Sequence, residues 1–363
     1  MFEHQTCVRL LHILIAALTI SACTATSLAV ARPRTTGTVP VPSSCAARDA
    51  ASTIDWSISD AAETSELSRW CRAVGAPVFV ERPAGAQQDL PALSDLVMVS
   101  WNAHLAEGEL GDLIEQLKSG GLTGGRPVTH FVLLVQELYR RGDEVPAFDI
   151  RNRSAFAIKP RDPETFDVDD YAATLGLSML YVPSMRNGPE LREDRGNAII
   201  STEPLLEPLA LELPLARQRR VVLGAAITIQ TAEGPRQLQV VDAHLEPLSS
   251  PKTLWFFKNP RAGQVRAILD LLESPRFTDR SRTAGVVLGG DFNTVRSGAG
   301  EEAYHLARAW SEGLAHEDAR DTHMMGRLDY LFFKLGDGWS ASTRRLDERF
   351  GSDHFPVLGT FSR

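Results

Sequence analysis

A chain of 363 residues with 43 % hydrophobic and 23 % charged residues has the apolar mass for one substantial buried core, which excludes a fibrous or wholly disordered protein. Its formal net charge of -8 offers no basic footprint for general nucleic-acid binding, so phosphate recognition must come from a local site or a bound cation. Nucleic acid is disfavoured as a partner without being ruled out.

In chain order, the first feature is a targeting segment. After Arg9 the apolar stretch Leu10 to Ile20, broken only by His12 and Thr19, is too short to span a bilayer but suits the core of a secretory signal. Ile20-Ser21-Ala22-Cys23 resembles a bacterial lipobox, in which the cysteine is lipidated and becomes the first mature residue. Residues 1–22 are therefore expected to be a signal peptide and residues 23–44 a lipid-anchored tether rich in Pro, Thr, Val and Ser. The expected location is a bacterial membrane, the outer one in a Gram-negative host, with ordinary cleavage to a periplasmic or secreted form as the alternative.

Export also bears on the cysteines. With Cys7 removed and Cys23 lipidated, Cys45 and Cys71 are left as a pair in an oxidising compartment, and a disulfide between them is expected. It would contribute about 3 kcal/mol if unstrained. Two buried free thiols are the alternative. Residues 45–95 read as an N-terminal extension packed on the main domain, with an amphipathic stretch at Ala61 to Trp70.

From Leu96 the pattern becomes strands alternating with helices. Strands are expected at Leu96–Ser100, Phe131–Val135, Ala198–Ile200, Val221–Ile229, Leu238–Asp242, Val286–Leu288, Leu328–Phe333 and Pro356–Thr360. Several lack polar alternation, which predicts burial on both faces. Helices are expected at Leu110–Lys118, Asp169–Leu175, Ala262–Leu272 and Glu301–Trp310.

Polar residues recur where these apolar runs end. Asn102 follows Val99-Ser100-Trp101, Glu137 follows Leu134-Val135-Gln136, and His244 closes Val240-Val241-Asp242-Ala243. Gly289-Gly290 precede Asp291-Phe292-Asn293, so a tight turn exposes a carboxylate and an amide two residues apart on one face. Gly326-Arg327-Leu328 lead into Asp329, and Gly351-Ser352 into Asp353-His354. Carboxylate and amide oxygens at strand ends suit a hard divalent cation, Mg2+ or Mn2+, and the distant cysteines argue against a soft-metal site.

Taken in order, these segments resemble the endonuclease/exonuclease/phosphatase superfamily over about Leu96 to Arg363. The matching set is Asn102, Glu137, the run Arg195-Gly196-Asn197-Ala198-Ile199-Ile200-Ser201, His244, Asp291 with Asn293, Asp329, and Asp353 with His354. The resemblance implies an α/β four-layer sandwich of two mostly antiparallel β-sheets flanked by helices, spanning residues 96–363. It implies metal-site roles for Asn102, Glu137 and Asp353, and catalytic roles for His244, Asp291, Asn293, Asp329 and His354. Asp329 would orient His354, while Asp291 and Asn293 would align water and a phosphate oxygen. An acidic residue orients the histidine matching His244 in some members, and Glu193 or Asp194 is the local candidate.

The activity so implied is metal-dependent hydrolysis of a phosphate ester, a phosphodiester before a monoester, by a monomer. An extracellular nuclease is the alternative enzyme, and a non-catalytic surface lipoprotein the alternative of another class. Leu254-Trp255-Phe256-Phe257-Lys258 reads either as a lipid-contacting wedge or as a packed loop. Arg217-Gln218-Arg219-Arg220 reads either as a phosphate-binding cluster or as a solvated strand entrance.

Overall fold

The computed structural model describes residues 28–35, 52–81, 89–147, 168, 175–186, 192–216, 218–247, 260–295, 301–336 and 338–363. The strands are β1 (Leu28–Thr35), β2 (Ser52–Ile58), β3 (Val78–Val80), β4 (Leu96–Asn102), β5 (His130–Arg141), β6 (Ser178–Arg186), β7 (Glu193–Ser201) and β8 (Leu206–Glu212). They continue as β9 (Val221–Thr231), β10 (Gly234–His244), β11 (Thr283–Asp291), β12 (Leu314–His316), β13 (Asp329–Leu335), β14 (Ser340–Arg345) and β15 (Val357–Ser362). Helices are α1 (Thr64–Ala73), α2 (Leu110–Ser119), α3 (Pro260–Leu272), α4 (Pro275–Thr278) and α5 (Glu302–Trp310). Each expected strand forms and extends beyond its apolar run, while most of the helix expected at Asp169–Leu175 lies outside the described residues.

The strands make two mixed sheets in which antiparallel pairs predominate. One runs β12-β14-β15-β4-β5-β7-β6-β3 and the other β2-β8-β9-β10-β11-β13, with β1 pairing to the edge strand of each. Alternation along each strand divides the side chains between layers. Met98, Leu134, Leu180, Ile199, Leu223, Val240, Val287 and Phe333 fill the space between the sheets. Val97, Val99, Leu133 and Val135 face outward against Leu110, Leu113, Ile114 and Leu117 of α2. On the opposite side, Val241, Ala243, Val286 and Leu288 pack with Val265, Ile268 and Leu272 of α3 and with Ala303 and Ala307 of α5. Burial on both faces explains the missing polar alternation, and each such side chain contributes about 1.5–3 kcal/mol. This is the four-layer α/β sandwich that the resemblance implied.

The spacing of Leu110, Leu113, Ile114 and Leu117 gives α2 one apolar stripe, and it ends at Gly120, whose φ of 86° is the left-handed conformation a C-terminal cap requires.

The N-terminal segments contribute strands to both sheets. β2 and β3 are strands of the two sheets, and Leu28–Thr35, within the expected tether, forms paired backbone as β1. Two buried arginines hold the turn after α1. Arg186 Nη1 donates to the Ala73 carbonyl at 2.7 Å and Arg140 Nη1 to that of Ala76 at 2.8 Å. Cys71 is buried on α1, and its expected partner Cys45 lies outside the described residues.

Candidate active site

Strand register assembles the site. Asn102 lies opposite Gln136 in the parallel β4/β5 pair, His244 opposite Asp291 in the parallel β10/β11 pair, and Asp291 opposite Asp329 across β11/β13. Each sheet thus brings polar strand ends to the same edge. Gly290 allows the close approach there, because its φ is 137° and a Cβ would sit 1.8 Å from the Ala243 carbonyl oxygen.

Glu137 reaches the cluster through a bulge. The β5/β7 register shifts between Val135 and Leu138, and Glu137 takes a left-handed φ of 59°, an uncommon conformation for a residue other than glycine. Its carboxylate lies 3.9 Å from His244 Nε2 and accepts a long bond of 3.4 Å from Arg195 Nη1. His104, Leu105 and Ala106 are also left-handed, with φ of 47°, 60° and 55°. That turn carries the His104 ring to 2.9 Å from Asp353 Oδ1.

Asp291 is held from several sides. Asn102 Nδ2 donates to its Oδ2 at 3.0 Å, the Asn293 backbone amide to its Oδ1 at 2.8 Å, and His244 Nε2 stands 3.5 Å away. Asn293 spends its side-chain amide on the Leu245 carbonyl at 3.0 Å. Beyond Asp291, the Asp329 carboxylate pairs with His354 Nδ1 at 2.8 Å, leaving Asp329 Oδ1 without a hydrogen-bond partner among the described residues. Ser352 Oγ donates to the Asn102 carbonyl at 2.7 Å and accepts from the His354 amide at 3.0 Å, tying this loop to the end of β4.

The electrostatics separate these groups. Burial and then the neighbouring Asp329 push the Asp291 carboxyl up to about 7. Burial opposes charge on His354, but Asp329, Asp291 and Asp353 outweigh it and push the imidazolium up to about 10. His244 goes the other way, held well below the ordinary range by burial and by Arg220, Arg195 and His354. Burial would also raise Asp353, yet its bond to His104 and the charge of His354 bring it down to about 2. Beneath the site, burial raises Asp242 well above the ordinary carboxylate range, although Gln136 Nε2 donates to it at 2.6 Å.

Sequence reasoning missed His323. Its Nε2 lies 3.3 Å from Asp353 and its ring centroid 4.6 Å from that of His354, while Nδ1 accepts from the Met325 amide at 3.1 Å. His-Met-Met carries no strand-end or turn signature, so nothing in the chain marked it. The candidate partners for His244 are corrected: Asp194 is bound by Arg140, Tyr181 and the Gly75 amide, and Glu193 lies 3.6 Å from Arg141. Both belong to the outward end of β7, and the acidic groups beside His244 are Glu137 and Asp291. The aromatic run Leu254–Lys258 lies outside the described residues. Arg219 and Arg220 are buried, which sets aside the solvated reading for those two positions.

Glu137, Asp353, Asn102 and Asp291 offer oxygen donors of the kind a hard divalent cation takes, and the crowding that raises Asp291 is relieved by added positive charge. Two groups, His323 with Asp353 and His354, and Asp291 with Asp329 and His354, have their possible ligand atoms within 4.8 Å of one another, and in both the carboxylates are the donors open to a cation while His354 carries a proton. The residues therefore fit a divalent cation.

The model of the Endonuclease/Exonuclease/phosphatase family matches residues 99–354, from the β4 strand to His354. The chain belongs to this family. Among solved structures it is similar to an endonuclease/exonuclease/phosphatase from Beutenbergia cavernae, at 17% identity and a TM-score of 0.47 over 73% of this chain and 71% of that one. It is similar to the human Nocturnin catalytic domain at 17% identity and a TM-score of 0.44, over 76% of this chain and 97% of that one. A mannosyl-6-phosphatase from Bacteroides thetaiotaomicron shares 13% identity at a TM-score of 0.43, over 74% of this chain and 100% of that one. No curated protein matches the chain.

Proposed function

We propose that this family member is an exported hydrolase of phosphate esters, dependent on Mg2+ or Mn2+, with a phosphodiester as the favoured substrate. The observation that carries the reading is the convergence at one edge of the sheets of His354, paired with Asp329 at 2.8 Å, Asp291, bonded by Asn102 at 3.0 Å and by the Asn293 amide at 2.8 Å, and Glu137, 3.9 Å from His244. Against the cost of burial, the carboxylates around His354 favour its cationic form, so a base and an electrophile can stand side by side at one pH.

Asp291 takes the proton of the attacking water as the water oxygen bonds to phosphorus. The bond from phosphorus to the ester oxygen breaks, and that oxygen leaves with the electron pair and is protonated from solvent. Bonds from Asn102 and the Asn293 amide keep the Asp291 carboxylate aimed. His354 stays cationic at neutral pH and holds a non-bridging phosphoryl oxygen, so charge that grows there meets a preformed donor. His244 is neutral in the resting site and donates a hydrogen bond to the phosphoryl group on the Glu137 side. A divalent cation, held by Glu137, Asp353 and Asn102, would supply charge neutralisation at the phosphate.

Export and anchoring through Cys23, with a Cys45 to Cys71 disulfide and a monomeric enzyme beyond the tether, complete the proposal. No helix among the described residues is long and apolar enough to cross a membrane.

The test is a panel of bis-p-nitrophenyl phosphate, p-nitrophenyl phosphate, plasmid DNA and sphingomyelin, each with added magnesium or manganese and with chelator. Turnover of a diester that chelator abolishes is expected. Absence of turnover on every substrate with either metal contradicts the activity.

A further inference from the structure

Arg219 and Arg220 follow one another into β9, and each is only 3% exposed, yet their surroundings differ. Arg219 has a full set of partners. Its Nε and Nη2 donate to the two oxygens of Glu212, with Nε at 2.9 Å, and its Nη1 donates to the Pro183 carbonyl at 3.0 Å. Arg220 instead places Nη2 on the neutral Gln218 side chain at 2.9 Å and leaves Nε without a partner among the described residues. Among the described residues no carboxylate is within ion-pair distance of it; Glu246 exerts the strongest pull from farther off.

A second guanidinium stands nearby. Arg195, buried on β7, leaves its Nε without a partner among the described residues, while its Nη1 donates to Glu137 at a long 3.4 Å and its Nη2 to the Met185 sulfur at 3.9 Å. Arg195 Nη1 is 3.4 Å from Glu137, whose carboxylate is 3.9 Å from His244. Asn197 Nδ2, two residues along β7, donates at 3.0 Å to the carbonyl of Val221, the neighbour of Arg220, so both cations flank the site where β5, β7 and β9 meet. Each also disfavours charge on His244. Buried charge without a close counterion, as at Arg220, is costly, and a second buried cation beside it adds to the cost. Planar donors of this kind match a carboxylate or a phosphate bidentately, and beside a site read as cleaving phosphate esters the anion at hand is a phosphate.

We propose that Arg195 and Arg220 form an anion subsite beside His244, and that it takes a second, doubly charged phosphate of the substrate, next to the ester that is cleaved. The subsite deepens the phosphoesterase reading and rests on it for the identity of the cleaved bond. Arg220, free of a carboxylate, supplies most of the recognition. Arg195 is shared with Glu137 and turns toward the incoming phosphate.

Inorganic phosphate titrated calorimetrically into chelator-treated protein isolates the arginines from any metal. Wild type is expected to bind phosphate in the millimolar range, and Arg220→Gln to lose about tenfold or more, the scale of one or two charge-assisted hydrogen bonds. Thymidine 5′-(p-nitrophenyl phosphate), with and without a 3′-phosphate, then separates substrate recognition from capture of free phosphate. The 3′-phosphate should lower KM for wild type and not for Arg220→Gln. Arg220→Lys, which keeps the charge, covers the case in which the glutamine variant does not fold, and should retain part of the phosphate affinity.

Failure of metal-free wild type to bind phosphate, or equal affinity in folded Arg220→Gln, overturns the subsite even if diesters are hydrolysed. A KM indifferent to the 3′-phosphate also overturns it. Arginine-dependent phosphate binding in a protein that turns over no ester would leave the subsite standing and the phosphoesterase reading refuted.

Discussion

The Asp329 carboxylate lies 2.8 Å from His354 Nδ1, and the opposite ring nitrogen stands 3.8 Å from Asp353. One face of the imidazole is thus fixed from β13 while the other meets the site. Asp329→Asn should lower turnover by about two to four orders of magnitude, the range for a positioned catalytic group. It should also change how stability depends on pH. His354 is raised from 6.5 to about 10, so the pair's contribution is fully present below the ordinary value and disappears as pH rises through about 10. Denaturant titrations of metal-free wild type and Asp329→Asn should differ most in mildly acidic buffer and converge at the alkaline end. A gap that is constant with pH would mean that the ring is not held as a cation.

Metal binding should release a proton. Burial and Asp329 keep the Asp291 carboxyl protonated up to about 7, so a cation arriving below that pH must displace the proton. Magnesium affinity is expected to fall as pH falls through about 7. Calorimetry at mildly acidic pH, in two buffers of different ionisation enthalpy, should give different apparent heats, whereas identical heats would show that Asp291 is already ionised.

Asp194 is a structural residue in this account. Arg140 bonds it through Nη2 at 2.6 Å, and Tyr181 and the Gly75 amide complete its shell at 2.9 and 2.7 Å. Asp194→Asn should cost about 3–5 kcal/mol in urea unfolding, since it leaves Arg140 buried without its counterion. Turnover below the unfolding range should be close to wild type. A large loss of turnover with stability intact would return Asp194 to the neighbourhood of His244.

Cys23→Ser should abolish lipidation and release the enzyme from the membrane fraction. Mass spectrometry of the mature N-terminus decides the matter: an unmodified terminus beyond Cys23 rules out the anchor and leaves a soluble secreted or periplasmic enzyme.

The strands that carry the site are legible because each is an apolar run bounded by a polar residue. Asn102, His244 and Asp291 close β4, β10 and β11, and Asp329 opens β13. β6 was missed because Ser178-Met179-Leu180-Tyr181-Val182-Pro183 contains a proline, which demotes a run read in isolation, although the β6/β7 register simply shifts past it. The short edge strands β3 and β12 carry too little pattern to be seen. At the site, motif order revealed Glu137 but not the bulge that turns it inward, and it revealed neither His323 nor the difference between Arg219 and Arg220. Those depend on which carboxylates arrive from distant segments, and adjacent arginines look alike until Glu212 is seen to take one of them.

The central claim is that the oxygen donors at these strand ends hold a divalent cation and cleave a phosphate ester, and Glu137 is where both parts meet. The decisive measurement is the turnover of bis-p-nitrophenyl phosphate against magnesium concentration for wild type and Glu137→Gln, with circular dichroism to check the fold. The account predicts saturable, chelator-sensitive turnover for wild type, and for the variant a folded protein that needs far more magnesium and has sharply reduced turnover. Full activity of Glu137→Gln at limiting magnesium, or wild-type turnover indifferent to chelator, would contradict it.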